Sequence, residues 1–331
     1  MKKVSVIIAN RNDTVMLAIT VRSAMEALRP LGLPTCEVIV CDNSDLPVYK
    51  TLSSYLPVKY IEEGILKVYR QDFPCLFTAR ETAIENAEGE YILCLDSHML
   101  CGHGMILDLY NFMENHKDDS TFAFAHAPIS WLHHHASNAK HDRDMSSCEL
   151  GDWGSAYNCF KPITWKGMPW MCRKSLWPAI NGYGALSQHH ISWGGGDMHI
   201  GIKPWLLGFK NWAVPTSPGI HIGPFPKQEE KSDGTLKLLG KPTPKYKYRL
   251  YNDSGNGPHA LGFLVSCYVL GGEAMMERNR AVIVDKFSKY INVDAQWSHA
   301  IELGKDEKAW LDERKQLTFE QLLEQRPWQS K

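Results

Sequence analysis

The sequence predicts an α/β fold: a mostly parallel sheet with helices on both faces, followed by a helical C-terminal extension. Three observations carry this. Continuous apolar runs such as residues 4–9 suit strands covered on both faces. These runs alternate with segments of helical period, the rhythm of βαβ units. From about residue 262 onward the pattern is amphipathic and helical, with no strand signal.

Residues 4–9 give the first strand. Leu17, Val21, Ala24 and Leu28 then recur at helical spacing. Residues 37–41 form a second buried strand, ending in the turn chemistry of Asp42-Asn43-Ser44-Asp45. A third strand is expected over residues 66–69. Thr78 and Glu81 have capping-box spacing and open a helix that runs to Ala87, with Gly89 as its stop. The strand at 91–95 leads directly into Asp96-Ser97-His98, and another is expected at 121–125. In parallel sheets ligands bind at the carboxyl ends of strands, where Asn10, Asp42 and Asp96 fall. Residues 126–175 are rich in His, Trp, Gly and Pro and read as long loops over a site. Residues 223–253 carry Lys227, Lys231, Lys237, Lys241, Lys245, Lys247 and Arg249 among prolines and tyrosines, and read as a lid. The expected boundaries are a first domain over 1–258, with halves of about 1–125 and about 126–258, and a helical extension over 259–331.

Composition narrows the class. Of 331 residues, 44% are hydrophobic and 22% charged, which is enough to build a full core. A net charge of -1 provides no whole-molecule field for gathering polyanions. The apolar stretches read as too short to span a membrane, and the N-terminus lacks the longer apolar core of a signal peptide. The 9 cysteines are scattered with no CxxC pair, which predicts reduced thiols and a cytoplasmic location, the host cytoplasm if the source is viral.

The strongest local signal is the run YILCLDSHM. A buried strand delivers Asp96 and His98 onto a loop, and at i and i+2 both side chains can face one way. Carboxylate and imidazole together suit Mn²⁺ or Mg²⁺. A cation there would neutralise a departing diphosphate. The same tripeptide also suits a plain strand-end turn with a surface histidine.

Context decides between these readings. TARETAIENAEGEYILCLDSHM, with VSVIIANRND and EVIVCDNSD before it, resembles the family-2 glycosyltransferases. The closer resemblance is to the polypeptide N-acetylgalactosaminyltransferases and their DxH metal motif. PWMCRKSLWPAINGYG, ISWGGGDMHIGIKPWLLGF and VPTSPGIHIGPF continue the resemblance in order, to about residue 225. The resemblance implies the GT-A fold, a Rossmann-like nucleotide-diphospho-sugar transferase architecture. It implies a nucleotide-diphosphate sugar donor, UDP-linked, and metal ligands Asp96, His98 and His221. Asp42 would contact the base or ribose, and Asn10 would lie where the first strand meets the nucleotide. Arg80 would lie near the nucleotide or sugar, and Ser97 beside the diphosphate. In Trp193-Gly194-Gly195-Gly196-Asp197, Trp193 and Gly195 would border the sugar, with glycine letting backbone approach closely. Asp197 stands where the family usually has Glu. With retention of configuration it orients an acceptor; with inversion it is the base. Glu81 follows Arg80 where many members have Asn, and the capping box gives it a structural task. The family's lectin domain, stem and membrane anchor are missing from the sequence.

The acceptor hydroxyl is open: a small molecule, a protein, a glycan or a modified DNA. The Lys/Tyr segment keeps a viral-type DNA-base glycosyltransferase in view. Two further rivals are a catalytically silent nucleotide-sugar binder and a zinc hydrolase built from His126, His133–His135 and His141. The spacing of the histidines gives the last no support. The dense tryptophans, from Trp131 to Trp212, divide between core and stacking surfaces.

Overall fold

The apolar runs become strands covered on both faces. In the computed structural model they are β1 (Lys2–Asn10), β2 (Cys36–Asp42), β3 (Leu66–Arg70) and β4 (Gly89–Asp96), all mutually parallel. The structure describes residues 2–45, 47–132, 164, 167–222, 227–230, 236–239, 256–288 and 291–325. Three more strands complete a seven-stranded sheet: β6 (Phe122–His126), β8 (Trp170–Arg173) and β9 (Lys210–Ala213). The order is β3-β2-β1-β4-β8-β6-β9, and β8 alone runs against its neighbours β4 and β6. A smaller sheet sets β10 (Gly219–Ile222) between β5 (Met99–Cys101) and β7 (Ile129–Leu132).

Strand residues point alternately to two cores. On one face Val4, Val6, Ile8, Leu93 and Leu95 pack with α1 (Thr14–Leu28) and α5 (Met105–Asn115). The predicted stripe Leu17, Val21, Ala24 and Leu28 is fully buried there. On the other face Ile7, Ile39, Ile92 and Cys94 pack with α4 (Leu76–Glu85) and α8 (Gly196–Leu206). Short helices α2 (Tyr49–Tyr55), α3 (Lys59–Glu62), α6 (Leu176–Ala179) and α7 (Ala185–Gln188) fill the crossings.

The capping-box reading is corrected. α4 begins at Leu76, two residues before Thr78, and the Cys75 side chain caps it by accepting from Thr78 N. Glu81 lies inside the helix and accepts from Trp177 Nε1 and Tyr183 N. The helix ends at Asn86, so Gly89 is not its stop. Gly89 opens β4, where a Cβ would come within 2.5 Å of Ser5 N. Backbone packing, not a helix end, requires glycine there.

In the expected loop region, β7 and β8 are present and 133–163 lies outside the described residues, with His133–His135 and His141. His126 is buried in β6. Burial pushes its imidazole down to about 3, against the backbone of Gly167. In the expected lid, β11 (Lys227–Glu230) pairs antiparallel with β12 (Leu236–Leu239); the rest of 223–255 is outside the described residues.

The C-terminal helices are α9 (Asn256–Arg278), α10 (Arg280–Phe287), α11 (Val293–Arg314) and α12 (Phe319–Gln325). Phe263, Leu264, Leu311 and Leu322 are buried in the same core as α4 and α8. The expectation that no segment could span a membrane meets one qualification. Within α9, His259–Arg278 is long and apolar enough to cross one, at a mean hydropathy of 1.2, and 61% of that window is buried inside the protein.

Candidate functional site

Asn10, Asp42 and Asp96 are the last residues of β1, β2 and β4, adjacent parallel strands, so they meet along one sheet edge. Directly after β4 the chain turns through Ser97 and His98 into β5. β10 pairs antiparallel with β5, and Ile222 N donates to His98 O at 2.9 Å. That pairing brings His221 back to His98 across 123 positions of sequence.

The three side chains converge. His98 Nε2 and His221 Nε2 are 3.0 Å apart, and His221 Nε2 is 3.7 Å from Asp96 Oδ2. One ligand atom from each residue lies within 4.8 Å of the others. Two imidazole nitrogens and a carboxylate oxygen facing one point suit a divalent transition metal such as Mn²⁺. The remaining Asp96 oxygen, Oδ1, accepts from Arg80 Nη2 at 2.9 Å.

Arg80 is buried on the inner face of α4, and its Nη1 donates to Tyr183 Oη at 2.9 Å. Burial acts to lower its pKa, but Tyr183, Cys94, Asp96 and Asp197 outweigh it and hold the guanidinium well above its ordinary value. Burial pushes the Asp96 carboxyl upward; Arg80, His98 and His221 together bring it below its ordinary value. Arg80 thus keeps Asp96 ionised while leaving Oδ2 toward the histidines.

A second cluster lies at the ends of β1 to β3. Asp42 accepts from Asn10 Nδ2 at 3.0 Å, from Ser44 Oγ at 2.5 Å, from Val48 N at 3.2 Å and from Arg70 Nη1 at 3.2 Å. The buried amide oxygens of Asn10, Asn43 and Gln71 have no hydrogen-bond partner. Three unpaired buried acceptors at one sheet edge suit a ligand with N–H or O–H groups, since orphaned polar atoms cost roughly 1–3 kcal/mol each.

Asp197 sits in the first turn of α8, with Oδ2 accepting from Gly167 N at 2.7 Å, and it is close enough to raise Arg80. Trp193 packs on His259 of α9, with ring centroids 4.3 Å apart. The close approach at Gly194 and Gly195 is to α9: an added Cβ would come within 2.5 Å of His259 O or Gly262 O, and both have positive φ. Ser97 is buried, with its carbonyl accepting from Thr20 Oγ1.

Sequence reasoning passed over Asp13, Tyr183, Asn43 and Gln71. Asp13 and Tyr183 entered only as letters within the quoted segments. Asn43 looked like plain turn chemistry, and Gln71 carried no signal of its own.

Residues 5–146 match the family model described as Glycosyl transferase family 2. No curated protein matches the chain in sequence. Among solved structures the chain is similar to GalNAc-T7, crystallised with UDP, GalNAc and Mn²⁺. The identity is 16% and the TM-score 0.62, covering 99% of this chain and 58% of that one. It is similar to TarS 1–349 of S. aureus in complex with UDP-GlcNAc at 16% identity and a TM-score of 0.53, covering 94% and 83%. The chain therefore spans little more than half the length of the first of these, and at such identities the likeness is one of fold. The GT-A fold expected from the sequence is the fold found.

Proposed function

We propose that this family-2-like glycosyltransferase moves a sugar from a UDP-linked donor to an acceptor hydroxyl, using a divalent cation held by Asp96, His98 and His221. The observation that carries this is the convergence of those three side chains beside a second cluster of unpaired buried acceptors. GalNAc-T7 with UDP and Mn²⁺ and TarS with UDP-GlcNAc support the choice of donor.

Asn10, Asp42, Asn43 and Gln71 bind the nucleoside, and their strand-end positions fix its distance from Asp96. A cation held by Asp96, His98 and His221 would supply positive charge to offset that of the departing diphosphate. Arg80 keeps Asp96 ionised and adds positive charge next to it. Trp193 and Asp197 border the sugar. The acceptor oxygen attacks the anomeric carbon as the bond to the diphosphate oxygen breaks. With retention, the acceptor proton passes to the departing phosphate and Asp197 orients the acceptor. Residues 1–125 hold the donor and residues 126–258 the acceptor, while the extension over 259–331 packs on α7 and α8.

The test is a hydrolysis panel over nucleotide sugars with Mn²⁺ and with chelator. Slow hydrolysis of a UDP sugar that chelator stops and D96N abolishes is the expected result. Binding without turnover across all donors would make the protein a silent nucleotide-sugar binder. No metal-dependent signal of either kind would overturn the proposal.

A further inference from the structure

Asp13 occupies the N-cap of α1, where a short carboxylate ordinarily accepts from first-turn amides. Its side chain makes no such bond. Oδ2 lies instead 3.1 Å from His98 Nδ1. The cap bond is forgone, so the carboxylate is committed elsewhere at a cost to the helix.

The His98 contact has a directional consequence. A neutral imidazole donates from one nitrogen and accepts at the other. A carboxylate can only accept, so it holds the proton on Nδ1 and places the lone pair on Nε2. Nε2 is the nitrogen that faces His221 Nε2 and the Asp96 carboxylate. Ser97 Oγ lies farther from Nδ1, at 3.4 Å.

α1 also fixes the register of this contact. Thr20 Oγ1 donates to Ser97 O at 2.9 Å and accepts from Met99 N at 3.0 Å, and Ser23 Oγ accepts from Cys101 N at 2.9 Å. Asp13, Thr20 and Ser23 lie on one face of the helix and grip the 97–101 segment at successive points.

We infer that Asp13 is a positioning residue for the cation site, holding the His98 ring in the tautomer and orientation that aim Nε2 at the point shared with Asp96 and His221. This rests on the proposed metal reading. Carboxylate partners of metal-binding histidines typically contribute 10–100-fold in affinity.

The experiment compares Mn²⁺ affinity of wild type, D13N, D13S and D13E by electron paramagnetic resonance titration. ¹⁵N shifts of the histidines in the metal-free protein are read alongside. Asn and Ser are good N-caps, so both variants keep α1. D13N and D13S should bind Mn²⁺ about 10–100-fold more weakly and lose the His98 Nδ1–H signature, with an unchanged or raised melting temperature. D13E should recover part of the affinity. Wild-type affinity in D13N and D13S, or an affinity loss that follows a fallen melting temperature, would overturn the inference. If wild type binds no Mn²⁺, it is the metal reading that fails.

Discussion

Replacing Glu307 tests how firmly the C-terminal helices are tied to the rest of the fold. The Glu307 and Lys203 side chains are fully buried, and Oε1 accepts from Lys203 Nζ at 2.7 Å and from His199 Nε2 at 3.0 Å. Oε2 accepts from Ala185 N at 2.6 Å. Burial pushes the carboxyl up, but His199 and Lys203 bring it down to about 2. In E307Q one end of the side chain becomes an N–H donor, which must face either Lys203 and His199 or the Ala185 amide, all donors. Lys203 keeps the carbonyls of Gly182 and Asn181 and its contact with His199 Nε2, none of them a carboxylate. Breaking one side of a buried ion pair costs about 3–5 kcal/mol. With a urea slope of about 3 kcal/mol per molar, the unfolding midpoint should fall by about 1–1.7 M. The double variant K203M/E307L replaces the pair with apolar volume and should lose much less than the sum of the single losses. The assay is urea unfolding followed by circular dichroism and tryptophan fluorescence. A loss under about 1 kcal/mol in E307Q, or strictly additive losses in the double variant, would refute the reasoning.

Other expectations follow from the same geometry. H221A should weaken Mn²⁺ binding by more than about 100-fold, beyond the range of an outer-shell partner, while leaving the fold intact by circular dichroism. Y183F removes the acceptor for Arg80 Nη1 and should cost about 1–3 kcal/mol of stability in urea, together with a drop in kcat for donor hydrolysis. His126 is held down to about 3, so as pH falls the unfolded chain takes up the proton first, near 6.5. Stability present above pH 6.5 is therefore lost toward pH 3, at about 1.4 kcal/mol per pH unit, and H126F should flatten that slope in pH-dependent thermal melts.

Much of the site was legible because strand ends can be read from apolar runs. Asn10, Asp42 and Asp96 each close such a run, and their meeting follows from a parallel sheet. His221 needed the resemblance, since nothing in its local spacing points to residue 98. Asp13 and Tyr183 were not legible: one contact skips the helix it caps, and the other crosses 103 positions to reach Arg80. The capping box failed because Cys75, a residue outside the usual cap set, took the role three residues earlier. Gly89 read as a helix stop and Gly195 as an approach to the sugar, whereas Ser5 and Gly262 are the neighbours that impose glycine there.

The pairing of β10 with β5 sets a length tolerance on the chain. Because side chains alternate along a strand, sliding β10 by one step would turn residue 221 to the opposite face and present Ile220 or Ile222 in its place. Insertions between Ala213 and Gly219 that leave the two strands aligned should be absorbed as extra loop. A single residue added within Gly219–Ile222 should abolish cation binding while every ligand is still encoded.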